Sequence, residues 1–491
     1  MIAEAVERVA AAQPGRAAIV TAEAALTYGE LRERSWRTWA AIGDGVAAIS
    51  LASAFHTARI VAALAAHGGI VAALDPRWPL AQRVQTITTC GVAVLVTDDA
   101  ELERALRDAA WAGRTLDLEA LERTERASTT ASRTTAPGTT APSTTAPIAR
   151  PPCERPDDEP FLLLFSSGTT GAPKAFLKTC GQYRANVAVS RRRLGAHDGT
   201  VTFAPGPLSS SLTLYTLLEA LATGGTVHLA DALDDLWLTP QAAGVTRLVT
   251  IPAALHALVH AARRDPHRFA GLELIVTGGA SLPPPLHAAV GEALPAARLV
   301  NYYGAGELGF IGKTRHGAEL RLFDGVEAQV RDGDERLPEG GLGTLWIRSA
   351  SCSDRYLVPP QPIMDAGGWA TVHDRARLRG RTLELAGRDG DVVTTGGHTV
   401  SLLHVEQAFE GMPGLGAVCA VPLPHRHLGI AIALVVEGDA PPTPALRSWA
   451  AERLAPASRP RRWLRVERLP RTTGGKIRRA ETAALVREEA S

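Results

Sequence analysis

Between residues 165 and 174 the chain reads Phe165-Ser166-Ser167-Gly168-Thr169-Thr170-Gly171-Ala172-Pro173-Lys174. Residues 161–165 are wholly apolar and read as a buried strand, so the polar stretch is the loop that leaves it. Gly168 and Gly171 permit tight turns and let a ligand approach the backbone. Hydroxyls, exposed backbone N–H groups and one ammonium are what a polyphosphate needs. The sequence is not a Walker A loop, because the spacing between its glycines is too short and Pro173 precedes its lysine. The chemistry implied is a nucleoside triphosphate held outside the P-loop fold. Taken alone, the same residues also describe an ordinary Gly/Ser/Thr surface loop.

Lysine is scarce. Lys174, Lys178, Lys313 and Lys476 are the only four, against a Lys+Arg total of 52. Where arginine serves almost everywhere, a retained lysine marks a site that needs a compact, mobile ammonium. Lys174 and Lys476 sit in motif-like surroundings. For Lys178 and Lys313, chance retention explains the sequence equally well.

Three further segments group residues of chemical use. Ile275-Val276-Thr277-Gly278-Gly279-Ala280 would lay bare backbone beside a flat ligand. Asn301-Tyr302-Tyr303-Gly304-Ala305-Gly306-Glu307 offers aromatic faces, an amide and a carboxylate. Aromatic faces stack on bases, and an amide can pair with a base edge. Leu469-Pro470-Arg471-Thr472-Thr473-Gly474-Gly475-Lys476-Ile477 is a glycine turn that would project one ammonium, although a basic tail reads similarly.

The loop at 165–174 and these segments, in this order, resemble the adenylate-forming superfamily, which includes acyl- and aryl-CoA synthetases. The resemblance covers nearly the whole chain and implies ATP, Mg²⁺ and, as co-substrate, CoA. By resemblance, Ser166, Ser167, Gly168, Thr169, Thr170 and Lys174 hold the β- and γ-phosphates. Gly278, Gly279, Ala280, Tyr302 and Gly304 line the nucleotide, Tyr303 stacks on adenine and Asn301 bonds its edge. Glu307, with Thr169, holds Mg²⁺. Asp374, in Gly368-Trp369-Ala370-Thr371-Val372-His373-Asp374, accepts the ribose hydroxyls, and Arg388 contacts ribose or phosphate. Lys476 is the catalytic charge, reaching the carboxylate and the α-phosphate. Ser209, Ser210, Thr277 and Tyr302 line the acid pocket.

The chain also departs from the family. Gly306 replaces a Thr or Ser, His373 replaces a Gly, and Gly390 takes the hinge position usually held by Asp or Lys. Gly396-Gly397-His398 keeps the glycine pair that borders the thiol tunnel in CoA synthetases. Ser210 stands where many relatives carry an aromatic or His gate, and the Asp that holds an α-amino group is missing. The implied activity is ATP-dependent activation of a small carboxylic acid through an acyl-adenylate, then transfer to CoA. Two alternatives stay open. One passes the acyl group to an amine, a carrier protein or another nucleophile, or runs nitrogen-activating chemistry on an amino-aryl acid. The other is a nucleotide-binding regulatory protein without turnover.

The elements that must position these residues follow from periodicity. Residues 26–42 read as a strand entering an amphipathic helix, and 92–97 as a buried strand. Apolar runs at 201–205, 225–230, 245–252, 272–280 and 297–307 each end in Gly, Pro or small polar residues. That is the pattern of parallel strands with binding loops at their C-terminal ends. The fold class expected is α/β: a large N-terminal domain with parallel sheets and a small β unit near 325–357, then a small mobile α+β domain. Residues 1–123 and 156–386 would form the large domain and 387–491 the lid. Residues 124–155 carry Thr-Thr-Ala-Pro three times at a period of five and read as a disordered insert.

Composition sets outer bounds. A chain of 491 residues with 45% hydrophobic and 21% charged residues fits two or more globular domains. A net charge of +1 gives no electrostatic case for nucleic acid. Five scattered cysteines without CxxC spacing fit a reducing cytoplasm. No apolar run reaches the ~18 residues of a membrane span, and the N-terminus does not read as a signal peptide.

Overall fold

The computed structural model describes residues 1–133, 154–166, 174–230, 244–280, 282–316, 319–388, 391–395, 398–425, 428–472 and 475–489. Local sequence explains many element boundaries. Thr27 and Glu30 form a capping box that starts the helix Tyr28–Ile42, and Gly43 at φ 84° ends it. Thr179 and Gln182 start the helix Cys180–Val189 in the same way. The helix Ala54–His67 is apolar almost all round because it lies buried in the main core.

Two sheets build the large domain. The first has fourteen strands among the described residues. Its centre is parallel: Thr226–Ala230, Val201–Pro205, Arg247–Thr250, Leu274–Gly278 and Arg298–Ala305 lie side by side. Register places Thr250 beside Thr277, Thr277 beside Asn301, and Gly278 beside Tyr302. After Arg298–Ala305 the chain turns back, and Gly309–His316 and Glu319–Leu322 continue the sheet antiparallel. The antiparallel strands expected at 325–357 are present but form no separate body. Glu327–Asp332 and Leu342–Arg348 prolong this sheet through Asp374–Arg379 and Thr382–Arg388.

The second sheet has eight strands among the described residues. Four parallel strands (Ile70–Ala73, Val46–Ser50, Val92–Thr97 and Arg114–Leu116) adjoin Pro160–Ser166, and Lys174–Thr179 and Arg355–Val358 follow antiparallel.

Residues from 391 onward form their own small sheets, Val392–Thr395 with His398–Ser401, and Val418–His425 with Gly429–Glu437 and Arg462–Val466. Val393, Leu402, Val405, Ile432, Leu434 and Leu446 give this lid its own apolar core. Gly390, Gly396 and Gly397 lie outside the described residues.

The insert differs from expectation at its start. The helix Leu118–Arg133 runs into it, and Glu125 is buried, accepting from Arg59 Nη1 at 2.7 Å and Thr38 Oγ1 at 2.7 Å. A low-complexity composition hid that Glu125, paired with Arg59 and Arg34, anchors the first part. The Thr-Thr-Ala-Pro repeats, residues 134–147, lie outside the described residues. No described helix is long and apolar enough to cross a membrane.

Candidate active site

The phosphate-type loop connects the two strands of a hairpin. Ser166 ends Pro160–Ser166, Lys174 opens Lys174–Thr179, and the two are register partners. Ser167, Gly168, Thr169 and Thr170 lie between them, outside the described residues. Side chains alternate along a strand, so Lys174, Phe176 and Lys178 share one face. That face meets the turn at 306–307 and the segment 351–356. Lys174 Nζ lies 4.9 Å from the centre of the Tyr356 ring, a cation–π distance. The Phe176 ring lies edge-on to Tyr356 at 6.1 Å and fills the space above Gly306, where an added Cβ would come within 2.9 Å of it. Lys178 is fully buried and donates from Nζ to Glu307 O at 2.9 Å and to Ser351 O.

Glu307 is therefore held at both ends. Its carbonyl oxygen accepts from Lys178 Nζ and from Ser353 N at 2.7 Å. Its carboxylate accepts from Tyr356 Oη at 2.9 Å. Burial, followed by the Glu307 charge, raises the Tyr356 pKa, with the Ser166 hydroxyl opposing the shift. Burial depresses Lys178 to about 8, opposed by Cys352, Glu307 and Asp354.

A second cluster lies around Asp374. Tyr303 Oη donates to Asp374 Oδ2, and Arg388 Nε donates to Asp374 Oδ1 at 3.0 Å. Burial, then the Asp374 charge, raises the Tyr303 pKa well above its ordinary value. Asn301 Nδ2 donates to Thr314 Oγ1 at 3.1 Å, which fixes the amide and leaves Oδ1 buried without a partner. A buried acceptor left open is a place for a ligand donor.

The lid brings Lys476 to the same cleft. Gly475 at φ 78° and the bond from Thr472 N to Lys476 O at 2.7 Å form the turn that carries it. A Cβ on Gly279 would lie 3.9 Å from Lys476 Cε and 4.0 Å from Nζ. A cavity of about 300 Å³ opens here, lined by Ile251, Gly279 and Ala280 from the body and Arg471, Lys476 and Arg479 from the lid. Water still reaches the Lys476 side chain, but protein crowds its flanks. That desolvation, followed by the Arg388 guanidinium, lowers the Lys476 pKa, while Asp374 and Glu307 oppose the shift.

The other face of the sheet carries aromatic side chains. The Tyr302 ring lies against Gly278, where an added Cβ would come within 2.5 Å of it. Tyr302 is edge-on to Phe310 at 4.7 Å, and Phe310 to Tyr215 at 4.9 Å. Ser209 Oγ donates to Asp75 Oδ2 at 3.3 Å, and Ser210 caps the helix Ser211–Thr223 without using its hydroxyl. Thr277 departs from its expected place. It is fully buried, has an unpartnered hydroxyl, and by strand alternation faces with Asn301 and Thr250, away from Tyr302.

Sequence reasoning missed Tyr356 and left Lys178 undecided. Tyr356 stands in a β region with no neighbouring cluster to mark it. The signal for Lys178 was lysine scarcity. Among the described residues no group of His, Cys, Asp and Glu forms a metal cluster.

Residues 6–357 match the AMP-binding enzyme family and 404–476 the AMP-binding enzyme C-terminal domain. The chain is 26% identical over 344 residues to an uncharacterized acyl-CoA ligase, YhfT, of Bacillus subtilis (strain 168), covering 67% of this chain and 70% of that one. Its fold is similar to ATP-bound MatB from Rhodopseudomonas palustris, with TM-score 0.85 and 20% identity over 100% of both chains. It is also similar to the amide bond synthetase McbA from Marinactinospora thermotolerans, with TM-score 0.81 and 22% identity over 99% of this chain and 100% of that one. The chain belongs to the AMP-binding enzyme family and is an AMP-forming ligase of the acyl- and aryl-CoA synthetase type.

Proposed function

We propose that the protein activates a small, largely apolar carboxylic acid with ATP and transfers the acyl group to the thiol of CoA. The observation that carries this reading is Lys476. The lid places its ammonium beside Gly279, in the field of Glu307, Asp374 and Arg388.

In the first half-reaction a carboxylate oxygen attacks the α-phosphorus of ATP. The new bond is C(O)–O–P, the bond to the bridging oxygen of the β-phosphate breaks, and pyrophosphate leaves. Lys476 would hold the attacking carboxylate against an α-phosphate oxygen and stabilise the charge that develops. Lys174 and residues 166–170 would grip the leaving pyrophosphate. Each Asp374 oxygen has a second lone pair, so the carboxylate can accept ribose hydroxyls while keeping Tyr303 and Arg388. Tyr303, with its ring orientation fixed by that bond, would stack on adenine beside Gly278, Gly279, Ala280 and Gly304. Asn301 Oδ1 would accept from the adenine amino group.

The residues fit Mg²⁺. Glu307 offers a hard carboxylate with one oxygen bonded to Tyr356 and the other open, as suits an ion that also leans on substrate phosphates. When bound, Mg²⁺ neutralises phosphate charge. Thr169 is the further candidate ligand.

In the second half-reaction the CoA sulfur attacks the acyl carbon, the bond to the phosphate oxygen breaks, and AMP leaves. Rotation of the lid about residue 390 would withdraw Lys476 and open the thiol path. The packed rings of Tyr302, Phe310 and Tyr215 would favour an aryl or alkyl acid beside them. The segment Pro207-Leu208-Ser209-Ser210 carries no Asp to hold an α-amino group, which disfavours an α-amino acid.

ATP–pyrophosphate exchange across aryl, cinnamoyl-type and fatty acids tests the first step, and product mass with and without CoA tests the second. Acid-dependent exchange with a CoA thioester as product supports the reading. Absence of exchange with every acid refutes it. A product carrying an amine or another nucleophile reassigns the acceptor.

A further inference from the structure

We propose that Lys178 is a positioning residue for adenylation, fixing the main chain at Glu307 to the strand that begins at Lys174. The proposal rests on the functional reading above.

The geometry is specific. Lys178 lies on the face that also carries Lys174 and Phe176. Its Nζ is buried and donates to two main-chain carbonyls, Glu307 O at 2.9 Å and Ser351 O. These carbonyls come from two different segments, the turn after Arg298–Ala305 and the segment leading to Arg355–Val358. Ser353 N closes the loop by donating to Glu307 O at 2.7 Å, and Ser353 Oγ returns to Leu177 O at 3.0 Å. The Glu307 carbonyl thus has both lone pairs engaged. Its carboxylate is steered from the other side by Tyr356, whose ring also meets Lys174.

An apolar side chain at 178 would fill the same volume more cheaply, because burying an ammonium carries a desolvation cost. What lysine adds is reach and several donors on one atom. With them, the turn bearing Glu307 and the hairpin bearing the phosphate loop move as one unit. Two groups that must grip the same triphosphate are thereby held at a fixed separation. Each lies on a different sheet, and Lys178 is a direct polar tie between the sheets beside Glu307.

The test compares Lys178→Met, Lys178→Arg and a control, Arg155→Met. Arg155 is a buried tie elsewhere, donating to Leu64 O and Gly69 O. Three quantities are read: melting temperature, KM for ATP against kcat in pyrophosphate exchange, and Mn²⁺ affinity by electron paramagnetic resonance with a non-hydrolysable ATP analogue. The expected result is about a tenfold loss or more in Mn²⁺ affinity and a matching rise in KM for Lys178→Met. Lys178→Arg recovers part of both, and Arg155→Met loses thermal stability without losing Mn²⁺ affinity. Unchanged affinity and KM in Lys178→Met would overturn the proposal, as would an equal loss in Arg155→Met. Should Lys178→Met not fold, hydrogen exchange of the wild type decides. Mn²⁺ with the analogue should slow exchange at Ser353 N, and an unchanged rate overturns the proposal. A wild type without Mn²⁺ binding and without exchange refutes the adenylation reading itself, and the proposal falls with it.

Discussion

At position 306, where the family resemblance implies Thr or Ser, the room for a side chain is taken by Phe176. The Phe176 ring is 1% exposed and would lie 2.9 Å from a Cβ on Gly306. It is also edge-on to Tyr356, so any shift passes to the residue that holds Glu307. Gly306→Thr should therefore not restore a missing hydroxyl contact. It should lower stability by about 1–3 kcal/mol through overpacking and slow pyrophosphate exchange. Gly306→Thr with Phe176→Val should recover most of the melting temperature. A single Gly306→Thr variant that is as stable as the wild type and faster would contradict this account. Lys476, Asp374 and Asn301 could be singled out in the sequence because each stands in a short segment that resembles a family motif. Tyr356 and Lys178 could not, since their partners lie far along the chain and only tertiary packing brings them together. Thr277 was misplaced because a sequence run does not say which side of a strand a residue faces.

The elements divide the work between them. One strand, Lys174–Thr179, carries two of the four lysines, and Lys313 on Gly309–His316 stands opposite Tyr302. With Lys476 in the cleft, every lysine of the chain lies on an element that meets the site. Strand order and type were readable from apolar runs and their terminal glycines. The continuity of the antiparallel strands with the main sheet was not, because pairing between distant strands leaves no local pattern. The same holds for Glu125, whose burial depends on Arg59. In the lid, Glu410 is raised to about 7 by burial and then by Glu406, and its neighbour Gly411 abuts Pro285 of the body. A raised carboxyl contributes stability that is full below its ordinary value of 4.5 and lost as pH rises through about 7. Glu410→Gln should melt with the wild type under acid conditions and above it once pH passes that window. Thermal melts of both proteins across the range check this, and a difference that does not vary with pH would contradict it.

At the scale of the whole molecule, two bodies with separate cores meet at one seam. The body supplies Glu307, Asp374 and Arg388, and the lid supplies Lys476. The family, the α/β class and the presence of a lid were legible because collinear motifs run through both bodies. The seam was not, since no sequence feature says where a turn on one domain rests against another. In the proposed mechanism Lys476 serves the adenylation step alone. This role is tested most directly by Lys476→Ala, with both half-reactions measured on the acid that the exchange panel identifies. The expected result is a loss of about a hundredfold or more in pyrophosphate exchange, with thioester formation from supplied acyl-adenylate within a few-fold of wild type. Equal losses in the two half-reactions would contradict it.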